Sequence, residues 1–322
     1  MRLDSITVVR DDGLGDGNPR FRLGSPGPWL VSYGGLDGFD GLDVDISTQD
    51  YAQYDGGRIT GERVAAVDRT VSGIGIGDPS AMRLQAERFF RAGADYEVHV
   101  ESGERRRFCR ARQMGLRLAT DNATGHQLLE WTFLAADPYW LDEDERGFDI
   151  AEASRKRGFP FVSWTARVSP EPEADAGEDG PGLATLAESP VEKHVKGFVA
   201  GVISHRTRMT NDGGATAYPR FVITATGAVE NPRVAIYDES GASVCSFGVA
   251  VTLKAGDELV IDFSARPTSI TLNGENVSYR ATQGSTLATG IEPGDFVLEW
   301  NADSGDAAMS VRPHVRDRYV TI

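Results

Sequence analysis

Five histidines, two cysteines and 48 acidic residues are the groups in this 322-residue sequence that could do chemistry. His99, His126, His194, His205 and His314 do not pair at metal-ligand spacing, and neither a zinc motif nor a Gly-x-Ser-x-Gly elbow occurs. His99 alternates with Glu97 and Glu101, as on a solvated strand face. Asp37, Asp40, Asp43 and Asp45 could be imagined as calcium ligands, but their spacing is not that of an EF-hand loop. Asp43 and Asp45 fit better as the wet side of a strand. Gly73-Ile74-Gly75-Ile76-Gly77 precedes a helix and superficially invites a phosphate, yet it lacks the P-loop lysine and the dinucleotide fingerprint. Asp78, at the helix start, puts a carboxylate where the phosphate would sit. A strand-to-helix connector is the simpler reading. Paired carboxylates for glycoside hydrolysis are positioned by the fold, and among 48 acidic residues two glutamates carry little weight. Cys109 and Cys245 lie in opposite halves, without metal spacing, and are expected as buried reduced thiols. The expectation is therefore no catalytic residue, no cofactor and no metal.

Charge narrows the classes further. A formal charge of -15, spread over both halves, argues against a dedicated nucleic-acid binder, which needs concentrated Lys and Arg. The one basic run, Arg105-Arg106-Arg107, sits beside the turn signal Ser102-Gly103 and reads as a solvated hairpin. Met1 to Ser5 lacks an apolar leader and no apolar stretch is long enough to span a bilayer, so synthesis and folding in the cytoplasm are expected, without membrane attachment. Trp300 ends the period-two stripe Phe296-Leu298-Trp300 and reads as core rather than as a sugar-stacking platform, whereas Tyr237 could face either way.

The elements that would position these residues are mostly strands. Ile6 to Val9, Phe21 to Leu23 and Trp29 to Ser32 are short β signals, followed by a Gly/Asp loop from Gly34 to Gly41. Leu42 to Ser47 alternates, with one apolar and one acidic face, and Arg63 to Ile74 reads as one longer strand. A helix is expected from Asp78, the N-cap, through Pro79 to a C-terminal glycine at Gly93, with Met82, Leu84, Ala86, Phe89 and Phe90 on its apolar side. A strand from Tyr96, a long strand Arg106 to Leu118, and a third, Leu128 to Ala135, complete an α+β unit ending at Asp137-Pro138-Tyr139-Trp140. Glu171 to Gly182 is acidic, rich in Pro and Gly, and too poor in apolar residues to offset its ordering entropy. Beyond it, short alternating strands separated by turns such as Asn273-Gly274 indicate an antiparallel β-sandwich. The expected division is 1–140, an N-terminal α+β unit; 141–210, a connector with an acidic loop near 170–190; and 211–322, the sandwich.

The succession of these pieces resembles the distal tail (Dit) proteins of long-tailed, non-contractile bacteriophages. In the first half it rests on Tyr54-Asp55-Gly56-Gly57-Arg58, the helix after Asp78, Gly93-Ala94-Asp95-Tyr96-Glu97-Val98 and Asp137-Pro138-Tyr139-Trp140. In the second it rests on Asn211-Asp212-Gly213-Gly214, Ala217-Tyr218-Pro219-Arg220-Phe221, Ala255 to Asp262, Leu272-Asn273-Gly274 and Pro293-Gly294. The acidic insertion near 170–190 departs from the family pattern. What the resemblance implies is a mainly β virion protein of the tail tip or baseplate, made in the host cytoplasm. Its N-terminal domain, of β-sandwich or split-barrel type with one helix, would form a ring, usually a hexamer. Its galectin-like C-terminal sandwich would project outward for host attachment. Implied partners are further copies of the chain, the tail tube protein, a tail-tip or tail-associated protein and receptor-binding proteins, with DNA passing through without specific binding. Two alternatives stay open: a carbohydrate-binding adhesion protein acting through its C-terminal sandwich, and a β-sandwich hydrolase of cell-wall polymer.

Overall fold

The computed structural model describes residues 3–148, 161–167, 192–198, 205–265, 267–286 and 290–322; the acidic stretch 171–182 lies outside them. In chain order the first strands are β1 (Ser5–Arg10), β2 (Arg20–Gly24), β3 (Trp29–Asp37), β4 (Val44–Asp50), β5 (Gly57–Val64) and β6 (Val67–Gly75). Helix α1 (Pro79–Phe89) follows, then β7 (Asp95–Ser102), β8 (Arg105–Thr120), β9 (Gln127–Ala135), β10 (Trp140–Asp142) and β11 (Arg146–Gly147). All the pairings are antiparallel, and the main sheet runs β2-β1-β7-β8-β9-β6-β3. Alternation chooses its buried face. Leu129, Trp131 and Phe133 of β9 point inward, joined by Val98 and Val100 of β7 and by Ile6 and Val8 of β1.

Helix α1 closes this core. The Asp78 carboxylate accepts the Ala81 N–H at 2.8 Å, and Pro79 occupies the first turn, as its missing donor allows. The helix ends at Phe89, earlier than a stop at Gly93 would place it. Phe90 is extended instead, and its ring drops into the core 4.9 Å from Trp131 and 5.0 Å from Phe21. Packing of one aromatic side chain has overridden another turn of helix. Of the expected apolar side, Ala86 and Phe89 are buried, whereas Leu84 is exposed.

A single strand from Arg63 to Ile74 is not what forms. The chain breaks at Ala65-Ala66, so that β6 joins the main sheet while β5 pairs with β4 in a separate two-stranded hairpin. Side chains of β4 are exposed throughout, and those of β5 are exposed up to a half-buried Val64.

The second half contains β12 (Phe161–Arg167) and β13 (Glu192–Phe198), which pair with each other, then β14 (His205–Asn211), β15 (Arg220–Ala225), β16 (Val229–Glu230), β17 (Arg233–Asp238) and β18 (Ser243–Gly248). Next come β19 (Thr252–Leu253), β20 (Glu258–Asp262), β21 (Ser269–Leu272), β22 (Glu275–Asn276), β23 (Gly294–Asn301), β24 (Met309–Val315) and β25 (Arg318–Tyr319). Two antiparallel sheets, β11-β24-β15-β20-β21-β22 and β14-β23-β17-β18, enclose a second core that includes Phe221, Ile223, Leu298 and Trp300. This is the expected sandwich, and Trp300, 2 % exposed, is part of its core. Asn273 and Gly274 both take positive φ, 50° and 84°, in the tight turn between β21 and β22, as a type I′ turn requires. Among the described residues α1 is the sole α-helix and no barrel closes, so the fold is mainly β with one helix, as read from the sequence.

The two halves are tied by short strands. β10 pairs with β8 on one side and β25 on the other, β11 extends the sandwich sheet beside β24, and Ile322 is buried in the first core.

Candidate functional site

The glycine-rich stretch serves packing. A Cβ at Gly73 would lie 2.7 Å from Leu23 Cδ2, and one at Gly75 would lie 3.1 Å from the Trp29 ring. Gly73 makes room for Leu23 and Gly75 for the buried Trp29, and the Ala81 N–H of the following helix's first turn is already taken by Asp78. Asp45 pairs with Arg63 at 3.0 Å on the exposed hairpin. Among the described residues no three of His, Cys, Asp or Glu gather as a metal would need. Cys109 and Cys245 are free and buried in different cores, and desolvation pushes the Cys109 thiol up to about 12, which keeps it unreactive. No helix among the described residues is long and apolar enough to cross a membrane.

The histidines are scattered. His205 stacks on Trp300 (centroids 5.6 Å apart), while His194 lies on β13, whose side chains are outside the described set. His99 does not simply face solvent. It is held between Glu97 (3.6 Å) and Glu143 (3.4 Å) and stacks on Phe108, in the lining of a cleft of about 520 Å³ between the two halves. That cleft neutralises itself. Arg220 pairs with Glu145 and Arg318 with Asp137, each at 2.5 Å, and Arg316 donates to the carbonyls of Asp142 and Glu143 at 3.0 Å. Arg146 bridges Asp317 (2.6 Å) and Asp212. The charges here lock one half against the other. Arg107, expected in a solvated hairpin, belongs to the same clasp: its guanidinium lies 3.5 Å over the Tyr319 ring and donates to the Thr321 carbonyl.

Arg69 is buried, at 0 % exposure, and its described hydrogen bonds go to backbone carbonyls. It donates to the carbonyls of Gly38 (3.0 Å) and Pro138 (2.5 Å) and lies 4.3 Å over Trp140, pinning the loop before β4 to the end of the first unit. Desolvation by this burial lowers its pKa. Parity could have found it, because Arg69 sits between the inward-facing Val67 and Val71.

The exposed hairpin is the feature that its own chain leaves incomplete. Register sets Val44 opposite Val64, Ile46 opposite Glu62 and, after a bulge, Thr48 opposite Ile59. Val44, Ile46 and Ile59 are 51 %, 56 % and 66 % exposed. Arg63–Asp45 and Arg58–Gln49 contacts hold the alternate positions. The alternation read from the sequence is present, but its apolar side is not covered. Tyr51 and Tyr54, at the tip, are exposed too. A two-stranded ribbon with an uncovered apolar side is marginal in water and marks an interaction surface.

Residues 212–314 match the family model described as "Siphovirus-type tail component, C-terminal domain". The resemblance to distal tail proteins is borne out. No curated protein matches the chain. Among solved structures, the Dit protein of phage SPP1, described as a paradigm of the hub adsorption apparatus in phages infecting Gram-positive bacteria, is 14% identical with a TM-score of 0.60, covering 97% of this chain and 98% of that one. A chain of the phage P2 baseplate, in its activated conformation with Ca, is 10% identical with a TM-score of 0.51 and is covered from end to end, as is this chain. At these identities the likeness is one of fold.

Proposed function

We propose that the chain is a structural component of a phage tail tip or baseplate, and that copies of it associate side by side into a closed ring. The observation that carries this reading is the β4–β5 hairpin, whose apolar side needs a partner that its own subunit does not supply. In a cyclic assembly each hairpin would lie on the next copy, a heterologous contact that repeats until the ring closes. Six copies is the number implied by the distal tail family. The main-sheet unit, roughly 1–140, forms the ring in this reading, 141–210 connects, and the sandwich within 211–322 projects outward.

A place in the virion, at the junction of tail tube and tip, follows from the same reading, with tail-associated and receptor-binding proteins as partners. The outer face of β7 and β8 carries mixed charges, Arg110 near Glu97 (3.8 Å) and Arg112 near Asp95 (3.7 Å), which would not grip passing DNA. No catalytic role is proposed. Sedimentation of the purified chain tests the reading: a discrete oligomer of about six subunits supports it, and a monomer at the highest attainable concentration overturns it.

A further inference from the structure

We infer that the outer face of the sheet β14-β23-β17-β18 is a binding groove for a neutral saccharide. This inference stands on the sandwich alone and does not require the ring. The groove has a volume of about 730 Å³ and lies over the middle of that sheet. Its floor is one row across three strands, because Arg208 and Tyr237 are both registered on Val297, from opposite sides. A guanidinium, an aliphatic side chain and a phenol therefore share one face. Rows on either side supply acceptors. Arg206 contacts Glu299 through Nε (2.9 Å) and Nη2 (2.8 Å), both on Oε2, which leaves Oε1 without a described partner. Thr210 donates to Asp295 Oδ1 at 2.7 Å.

The chemistry of these groups selects the ligand. The Arg208 side chain is exposed and makes no ion pair or hydrogen bond with any described residue, so its fork of donors is available. Glu299 and Asp295 accept, and Tyr237 with Val297 offers an apolar floor. Donor, acceptor and apolar surface on one face suit a sugar ring, whose hydroxyls both give and take hydrogen bonds and whose C–H face needs an apolar support. Charge decides between sugars. Four carboxylates (Asp238, Glu239, Asp295, Glu299) outnumber two guanidiniums (Arg206, Arg208) along the groove, so a phosphate- or carboxylate-rich polymer would be repelled. Asp238 is engaged in its own turn, accepting from Ser240 Oγ (2.6 Å) and the Ala242 N–H (2.9 Å), and forms a wall rather than a contact.

The test uses the intact chain on an array of neutral di- to tetrasaccharides of hexoses and N-acetylhexosamines, with glucuronic-acid oligosaccharides and poly(glycerol phosphate) as the anionic arm. At least one neutral saccharide is expected to bind saturably, with a Kd of about 1 mM or tighter. Tyr237→Ala and Arg208→Met are each expected to weaken it by about tenfold or more, and Tyr237→Phe to retain it, since the ring is kept. Both positions lie on the outer face, so unchanged melting temperatures will show that the variants remain folded. Absence of saturable binding to any neutral saccharide, preference for the anionic arm, or binding by Tyr237→Ala and Arg208→Met as tight as that of the wild type would each overturn the inference. None of these outcomes bears on ring formation.

Discussion

Replacing Ile46 and Ile59 with lysine separates folding from assembly. Both side chains are more than half exposed, 56 % and 66 %, so the isolated subunit has little burial to lose. Surface changes of this kind usually shift stability by about 0.5 kcal/mol or less. Ile46 also faces Glu62 across the hairpin, which offers an introduced lysine a partner. In the assembly the same two side chains are covered. Fully burying an isoleucine is worth about 1.5–3 kcal/mol, so covering the exposed half of each contributes about 1–1.5 kcal/mol. The pair then supplies about 2–3 kcal/mol per contact, or about 30- to 150-fold in the association constant, before the cost of desolvating two ammonium groups is added. Sedimentation equilibrium of wild type and the double variant, with thermal unfolding alongside, reads both quantities. The expected result is an unchanged melting temperature and an assembly weakened by at least that factor. An oligomer that dissociates at the same concentration in both proteins would refute the hairpin's role.

Other expectations follow from the same geometry. Arg69→Met removes the donors to the Gly38 and Pro138 carbonyls in a site without solvent, and is expected to cost about 2–4 kcal/mol, read as a lower urea midpoint with unchanged slope. Arg146→Ala leaves Asp317, with its side chain 4 % exposed, without its guanidinium, and a loss of about 3–5 kcal/mol is expected, with the two halves melting separately in calorimetry. Acid should destabilise the fold in two stages. Burial lowers the His314 pKa below 6.5, so its neutral form favours the folded state; that contribution is present above 6.5 and lost as pH falls through the folded value. Glu97 is lowered from 4.5, first by its hydrogen bond with His99, so its contribution is present above 4.5 and lost as pH falls through its folded value. A melting temperature that stays level or rises from pH 7 to pH 3 would contradict both signs.

Period-two patterns made much of the fold legible. Leu129, Trp131 and Phe133 could be assigned to a core face because alternation leaves only one way to bury all three. Asp78 with Pro79, and Asn273 with Gly274, carry their local geometry in their side chains. Alternation says which residues share a face, but not what covers it. That is why Val44 and Ile46 read as the apolar face of a strand from the sequence and are exposed in the folded chain. The end of α1 was hidden for a related reason, since the Phe90 ring reaches Trp131, 41 positions away, and no local signal encodes that contact.

The clasp and the groove lie further from what a sequence displays. Arg318 meets Asp137 across 181 positions, and Arg107 reaches Thr321 across 214, so neither pair leaves a trace in spacing. Tyr237 could not be assigned a side from its neighbours; strand register sets it in line with Val297 and Arg208. Arg69 was different. Its parity with Val67 and Val71 was visible, and a buried arginine was the reading it called for.

Negative-stain imaging of the purified protein, with its mass measured in the same sample, shows whether copies of the chain close into a ring. Closed particles with a central opening and a mass near six subunits are expected, lost in the Ile46→Lys/Ile59→Lys variant. Uniform single subunits at every concentration, with the hairpin accessible to protease, would contradict ring formation.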